Sequence, residues 1–413
     1  MKYITGICLI IFLIFGIFSC TSEPPPGGGV EIPEFDDDII LHEKWPFLVG
    51  AAVPGARTNN SNAASDVANA LNPGSPQHRL LNHFNVVVAE NEMKPDYIMP
   101  SAQGGAYNWT DSDALVNYAE ANNKKIRGHV LIWHDQTPDW FFRGNGTSGR
   151  ATIDELYERM EAHIKTVFEK YGGRIEWWDV VNEVIDHDQS GPRRDSRGRY
   201  TEIMIDAGKS GMDRYEYVLK AFEWARQYAD ANGGTDVKLY LTDFGVERPF
   251  TRGTSTKQDD FYDLAAWLIE KDAPIDGIGF QGHFRLYDHP VEQISAGIDM
   301  FSALERKDGR NLMIQICELD FSIFSNAKGE GQALTISNNL LNERLTDLAA
   351  TYRDFFDMFK EKYDEGKLDA VLLWGLTDGH SWLNNHPLTG RTDYPLLFNR
   401  NYTAKEAYIR LVD

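Results

Sequence analysis

Eight apolar, β-branched runs punctuate this chain, and helical periodicity fills the stretches between them. The runs are LVGAAV (48–53), NVVVAENEMK (85–94), KIRGHVLIWH (125–134), IEWWDVVNE (175–183), VKLYLTDF (237–244), GIGFQGHF (277–284), MIQICELDF (313–321) and AVLLWGLTD (370–378). Short continuous apolar runs fit strands buried on both faces. Helices are expected over 152–172, 213–234 and 345–366, the last two closing on glycine as helix ends often do. Strand and helix alternate at roughly 40-residue spacing, the layout of an α/β fold of the (β/α)8 TIM-barrel type with a single catalytic domain. A doubly wound open sheet is the alternative, weaker because no glycine-rich phosphate turn follows the first run. With 413 residues, 42% of them hydrophobic, the chain can build such a barrel with tails.

The barrel domain is expected over 42–413. Residues 1–19 read as a secretory signal, with Lys2 followed by a nearly unbroken apolar stretch that ends in small residues. The run from Ile7 to Phe18 is shorter than the ~20 apolar residues of a spanning helix. IFSC, Ile17 to Cys20, resembles a bacterial lipobox, in which the cysteine becomes the lipidated first residue of the mature protein. Residues 20–41 are rich in Pro, Gly and acids, bury too little apolar surface to order themselves, and read as a tether. The expected location is the cell envelope, reached through the lipid anchor alone, with plain secretion as the alternative. Cys8 falls in the signal and Cys20 at the lipid site, so only Cys317 remains, and the mature domain has neither an internal disulfide nor a cysteine pair for zinc.

The formal net charge of −21 repels polyphosphates, so nucleic acid is not an expected partner. The chain is read as a monomer. Its 10 Trp serve a large core and also offer flat faces suited to sugars.

A barrel places its site at the carboxyl ends of the strands. Those ends carry Glu90, Asn91 and Lys94; His129, Trp133 and His134; Asn182 and Glu183; Asp243; Gln281 and His283; Glu318 and Asp320; and Trp374, Thr377 and Asp378. Each has a bland account as a satisfied core group or helix cap, but together they describe one polar cleft. Two carboxylates stand out within it. Glu183 ends the fourth strand and Glu318 lies near the end of the seventh, which suits a pair flanking a glycosidic bond. Asp320 shares a strand face with Glu318, and His283 lies on the next strand. A Glu318–His283–Asp320 chain would hold Glu318 ionised as a nucleophile. Glu183 follows Trp177 and Trp178 and neighbours Asn182, a setting expected to raise its pKa and keep it protonated as the acid. Asn182 is then placed for the sugar 2-hydroxyl.

The stretches VVAENEMKPD, RGHVLIWHDQTPDWF, WWDVVNEVID, GIGFQGH, ICELDF and LLWGLTDGHSW look like successive signatures of the glycoside hydrolase family 10 endo-β-1,4-xylanases. YPLLFNRNYTAKEAY (394–408) resembles that family's closing segment, so the likeness runs from about His42 to Asp413. It implies a retaining hydrolase of xylan or xylo-oligosaccharides that needs no cofactor and no metal, with Glu183 as acid/base and Glu318 as nucleophile. It also implies that His129, Trp133, Asn182, Gln281, His283 and Trp382 surround the sugar at the cleavage point. Glu90, Asn91, Lys94, Gln136 and Trp374 would grip the next unit on the non-reducing side. The Trp rings would stack on xylose and crowd out a hydroxymethyl group.

The chain also departs from the family pattern. An Asn-Asp-Tyr-Asn-like sequence usually ends the fifth strand, whereas here stand Thr242, Asp243, Phe244 and Gly245. Binding of the leaving group beyond the cleavage point is therefore open. The loops 188–200 and 325–339 offer cations and polar groups to a substituted xylan, although loops of this kind are more often simply solvated. Two alternatives stand beside the xylanase: a same-fold β-glycosidase of short or decorated oligosaccharides, and a xylan-binding lipoprotein without catalysis.

Overall fold

The computed structural model describes residues 39–54, 66–146, 149–185, 199–249, 251–252 and 255–413. The expected signal, Cys20, most of the tether and most of the loop 188–200 lie outside the described residues.

Eight strands form the barrel: β1 (Leu48–Val53), β2 (Val86–Ala89), β3 (Lys125–Gly128), β4 (Trp177–Asn182), β5 (Lys238–Asp243), β6 (Gly277–Phe280), β7 (Met313–Ser322) and β8 (Leu368–Leu373). Each pairs in parallel with the next, and β8 returns to β1 with Leu48 beside Ala370, so no edge is left open. Two short segments continue the wall towards the mouth. Ile132–Trp133 adds to β4, with Trp133 beside Asn182, and His283–Arg285 adds to β7, with His283 beside Asp320.

The connecting helices bury one face on the barrel. Helix Ile153–Tyr171 begins at a capping box between Thr152 and Glu155, and its inner row includes Leu156, Met160, Ile164 and Phe168. Phe168 meets Trp178, whose ring lies so close to Gly128 that a Cβ there would come within 2.3 Å of it. The helix expected over 213–234 spans Glu216–Ala231. The one expected over 345–366 is longer and starts at Asn338, because Ser337 caps Leu340 and both Leu341 and Arg344 are buried. The loop before it is pinned rather than merely solvated: Asp288 accepts hydrogen bonds from the Ser325 hydroxyl and from the N–H groups of Asn326 and Ala327.

Inside the barrel, Ala52, Val86, Val88, Trp177, Tyr240, Ala370, Leu372 and Trp374 form a core of their own. Above part of it lies a buried ion pair. Arg127 binds Asp179 through Nε at 3.1 Å and through a second nitrogen, reaches Gln315, and rests on the Tyr240 ring. A charge so far from water is tolerable only with partners on every side. Gly279 leaves the guanidinium its room, since a Cβ there would stand 2.8 Å from an Arg127 nitrogen.

Candidate active site

Two irregularities in the sheet aim the carboxylates. The register of β4 against β5 shifts between Asp179 and Val181, and Val180 and Val181 both join the outer core. The extra residue returns Asn182 to the cleft, where strict alternation from Trp177 would have turned it outward. On β7 the register against β8 shifts between Ile316 and Leu319, both of which belong to the outer core, and Glu318 lies in the irregular step between them.

Glu183 follows directly on β4 with a left-handed backbone, φ 57°, an uncommon conformation for a residue with a side chain. Its own N–H bonds the Thr242 carbonyl at 2.9 Å, and Asp243 Oδ2 accepts from the N–H of Ile185 at 3.1 Å. Strand β5 thus clamps the turn on both sides of Glu183. The Gln281 amide donates to Asn182 Oδ1 and to Glu183 Oε1, each at 3.1 Å. His134 Nε2 stands 3.8 Å from Glu183 Oε2. Burial raises the Glu183 pKa, the carboxylates of Asp243 and Glu318 add to the effect, and Gln281 and Lys257 only partly oppose it.

The tryptophans are not the cause. Trp177 opens the strand that Asn182 closes, roughly 17 Å away along the chain direction. Trp178 faces out of the barrel towards Phe168. The expectation that they supply the less polar setting of Glu183 is corrected: strand direction and alternation carry both away from the mouth.

Glu318 is buried, and its two oxygens differ. Oε2 lies 3.1 Å from His283 Nε2, while Oε1 has no hydrogen-bond partner among the described residues. His283 Nδ1 lies 3.0 Å from Asp320 Oδ1, and the Trp382 indole N–H donates to Asp320 Oδ2 at 2.8 Å. Burial opposes a charge on His283, but Asp320 and Glu318 outweigh it and push its pKa up to about 10, so the ring is an imidazolium that donates from both nitrogens. Burial likewise works to raise the Glu318 pKa. The His283 hydrogen bond and the cationic groups around it win, and the pKa is lowered.

Lys94 is buried with its ammonium 3.1 Å from Asn91 Oδ1, 4.9 Å from the Trp133 ring and 5.7 Å from the Trp374 ring. Glu90, half-buried at the end of β2, acts on it electrostatically, as do Glu318 and Glu183. His129 Nδ1 lies 2.9 Å from Asp179 Oδ2, with its ring edge-on to Trp374 at 5.4 Å. Gln136 is half-buried, and its carbonyl accepts the Asp96 N–H at 2.7 Å, which ties its loop to the turn that presents Lys94.

Beside the strand-end His134, three further residues act on this constellation: Asp179, Arg127 and Lys257. Period-2 alternation from Trp177 points to Asp179, and the same count back from His129 points to Arg127. His134 is visible at a strand end. Lys257 heads a helix beyond β5 and has no signal of its own in the sequence.

A profile of glycosyl hydrolase family 10 matches residues 52–413. The chain belongs to that family. Among curated proteins, the family 10 hydrolase is 39% identical over 389 residues to endo-1,4-beta-xylanase C of Paenibacillus barcinonensis, a match that covers 92% of this chain and 33% of that protein. The chain therefore spans about a third of that relative's length. It is 34% identical to endo-1,4-beta-xylanase A of Halalkalibacterium halodurans, with 84% of each covered. Among solved structures, the GH10 protein from Paenibacillus barcinonensis superimposes with a TM-score of 0.76 at 37% identity, covering 92% of this chain and 97% of that one.

Proposed function

We propose that this family 10 hydrolase is a retaining endo-1,4-β-xylanase, with Glu318 as nucleophile and Glu183 as acid/base. The observation that carries the reading is the opposite displacement of the two carboxyls. Glu183 is held towards its neutral form, whereas Glu318 is held as a carboxylate with one oxygen anchored by His283 and the other, 4.0 Å from His129 Nδ1, accepting no hydrogen bond among the described residues.

In the first step Glu318 Oε1 attacks the anomeric carbon while Glu183 gives its proton to the leaving oxygen. In the second, Glu183 takes a proton from water, the water attacks the same carbon, and Glu318 leaves as a carboxylate. Two inversions return the original anomer. Asn182, fixed by Gln281, faces the sugar hydroxyl next to the reacting carbon, and Lys94 and Asn91 supply donors on the non-reducing side. Xylan as substrate rests on the names of the relatives and on the tryptophan-lined cleft.

A mechanism-based 2-fluoro-xylobioside should label Glu318, and NMR of fresh hydrolysate should show the β-anomer first. An α-anomer first would replace double displacement with direct attack by water. A second reading, action on short or decorated oligosaccharides, is favoured by the end of β5. There Phe244 lies under the Lys257 ammonium at 3.6 Å, and Gly245 follows with φ 66°. Product sizes on unbranched xylan separate the two, since an endo-enzyme releases mixed oligomers early. A binding protein without catalysis has no use for the divided protonation states.

The proposed location rests on residues 1–41. Cys20 in its lipobox-like setting, followed by the Pro/Gly/acidic segment, supports a lipid-anchored enzyme of the cell envelope. Cys20→Ala should release the protein from the membrane fraction and abolish incorporation of labelled fatty acid.

A further inference from the structure

After β8 the chain passes Trp374 and reaches a short 3-10 turn, Trp382–Asn384. Trp382 is fixed at one point by its N–H bond to Asp320, and its ring stands 4.8 Å from His283 at a tilt of 59°. The N–H of Asn385 returns to the Trp382 carbonyl at 2.9 Å, which folds the next residue, His386, back over the indole. The two rings stack at 4.6 Å with an interplanar angle of 27°. A sugar cannot use a face that an imidazole already covers, so Trp382 borders the cleft as a wall. The hydrogen bond, the His283 ring and the core inside the barrel hold the inner side of the indole. The stacked His386 ring holds the face opposite that support, where nothing else among the described residues would stop the indole from tilting away.

We propose that His386 is a positioning residue for sugar discrimination: stacked on Trp382, it stiffens the wall that accepts a pentose and refuses a hexose. The proposal rests on the xylanase reading and deepens it. Xylose and glucose differ by one hydroxymethyl group, and a pocket can refuse the larger sugar only if its wall does not yield. Trp382, Asp320, His283 and Glu318 form one bonded series, so a wall held by His386 is also in register with the reacting centre.

The experiment measures kcat/KM of the full chain on 4-nitrophenyl β-xylobioside and β-cellobioside for wild type, His386→Ala and His386→Phe. The xylobioside-to-cellobioside ratio should fall about tenfold in His386→Ala, chiefly through a gain on cellobioside. His386→Phe, which keeps a flat ring on the indole, should retain the ratio within about twofold. A wild-type preference for xylobioside with an unchanged ratio in His386→Ala, even if both rates drop, assigns His386 a merely structural role and overturns the brace alone. A His386→Phe variant as permissive as His386→Ala overturns the brace as well, because a flat ring then fails to restore the wall. A wild type without preference overturns the xylan reading and the brace with it.

Discussion

Lys257 places its ammonium 2.7 Å from Asp243 Oδ1, with both side chains buried. The pair sits behind Glu183, and its members act on that carboxyl in opposite senses: Asp243 raises its pKa and Lys257 lowers it. Asp243 also bonds the N–H groups of Ile185 and Phe244, so one carboxylate both shapes the Glu183 turn and sets its charge.

The pH dependence of kcat/KM follows from these displacements. Glu318 must be ionised, and its lowered pKa sets the acid limb. Glu183 must be protonated, and its raised pKa sets the basic limb. Asp243→Asn removes one of the charges that hold the Glu183 proton and leaves Lys257 in place. The basic limb should therefore move to lower pH while the acid limb stays. A basic limb that stays put or moves up would contradict the electrostatic account.

The two carboxyl variants should fail differently. Glu318→Ala should lose turnover on every substrate. Glu183→Ala should lose about 10²–10⁴-fold on xylan yet retain the first step on aryl xylosides with very good leaving groups, which need no protonation. Steady-state rates across a leaving-group series check this, and equal loss on all substrates in both variants would remove the division of roles.

His283 couples stability to pH. Its folded pKa is pushed up from 6.5 to about 10, so the folded state holds the proton more tightly than the unfolded chain. The stabilisation is complete below pH 6.5 and is lost as pH rises through about 10. Thermal melts of wild type across that window should fall more steeply than those of His283→Gln. Parallel slopes would mean that the ring is not charged in the fold.

Arg127 tests the barrel interior. Arg127→Met should cost about 3–5 kcal/mol in chemical denaturation, because the buried Asp179 loses the guanidinium that meets both of its oxygens. A double Arg127→Met, Asp179→Leu change should recover part of that loss in stability but not in activity, since His129 also leans on Asp179.

The barrel and most of its mouth were legible in the chain itself. Buried parallel strands read as apolar runs, and a barrel directs function to their carboxyl ends, which is why Glu183, Glu318, His283 and Asp320 could be named together. The bonded order His283–Asp320 beside Glu318 needed only period-2 alternation and strand adjacency. Other features lay beyond that reach. Asn182 was named at its strand end, but the reason it faces the cleft, an extra residue in β4 that undoes the alternation, leaves no mark in composition. The neutral bias of Glu183 has a different cause from the expected one, since Trp177 and Trp178 are its neighbours in sequence only. Lys257 and His386 arrive from a helix start and a loop whose paths depend on closure of the whole barrel. The chain by itself determined which side chains stand at the strand ends, because local periodicity governs that; which charges and rings press on those side chains was decided only by the tertiary structure, because distance through space is not distance along the chain.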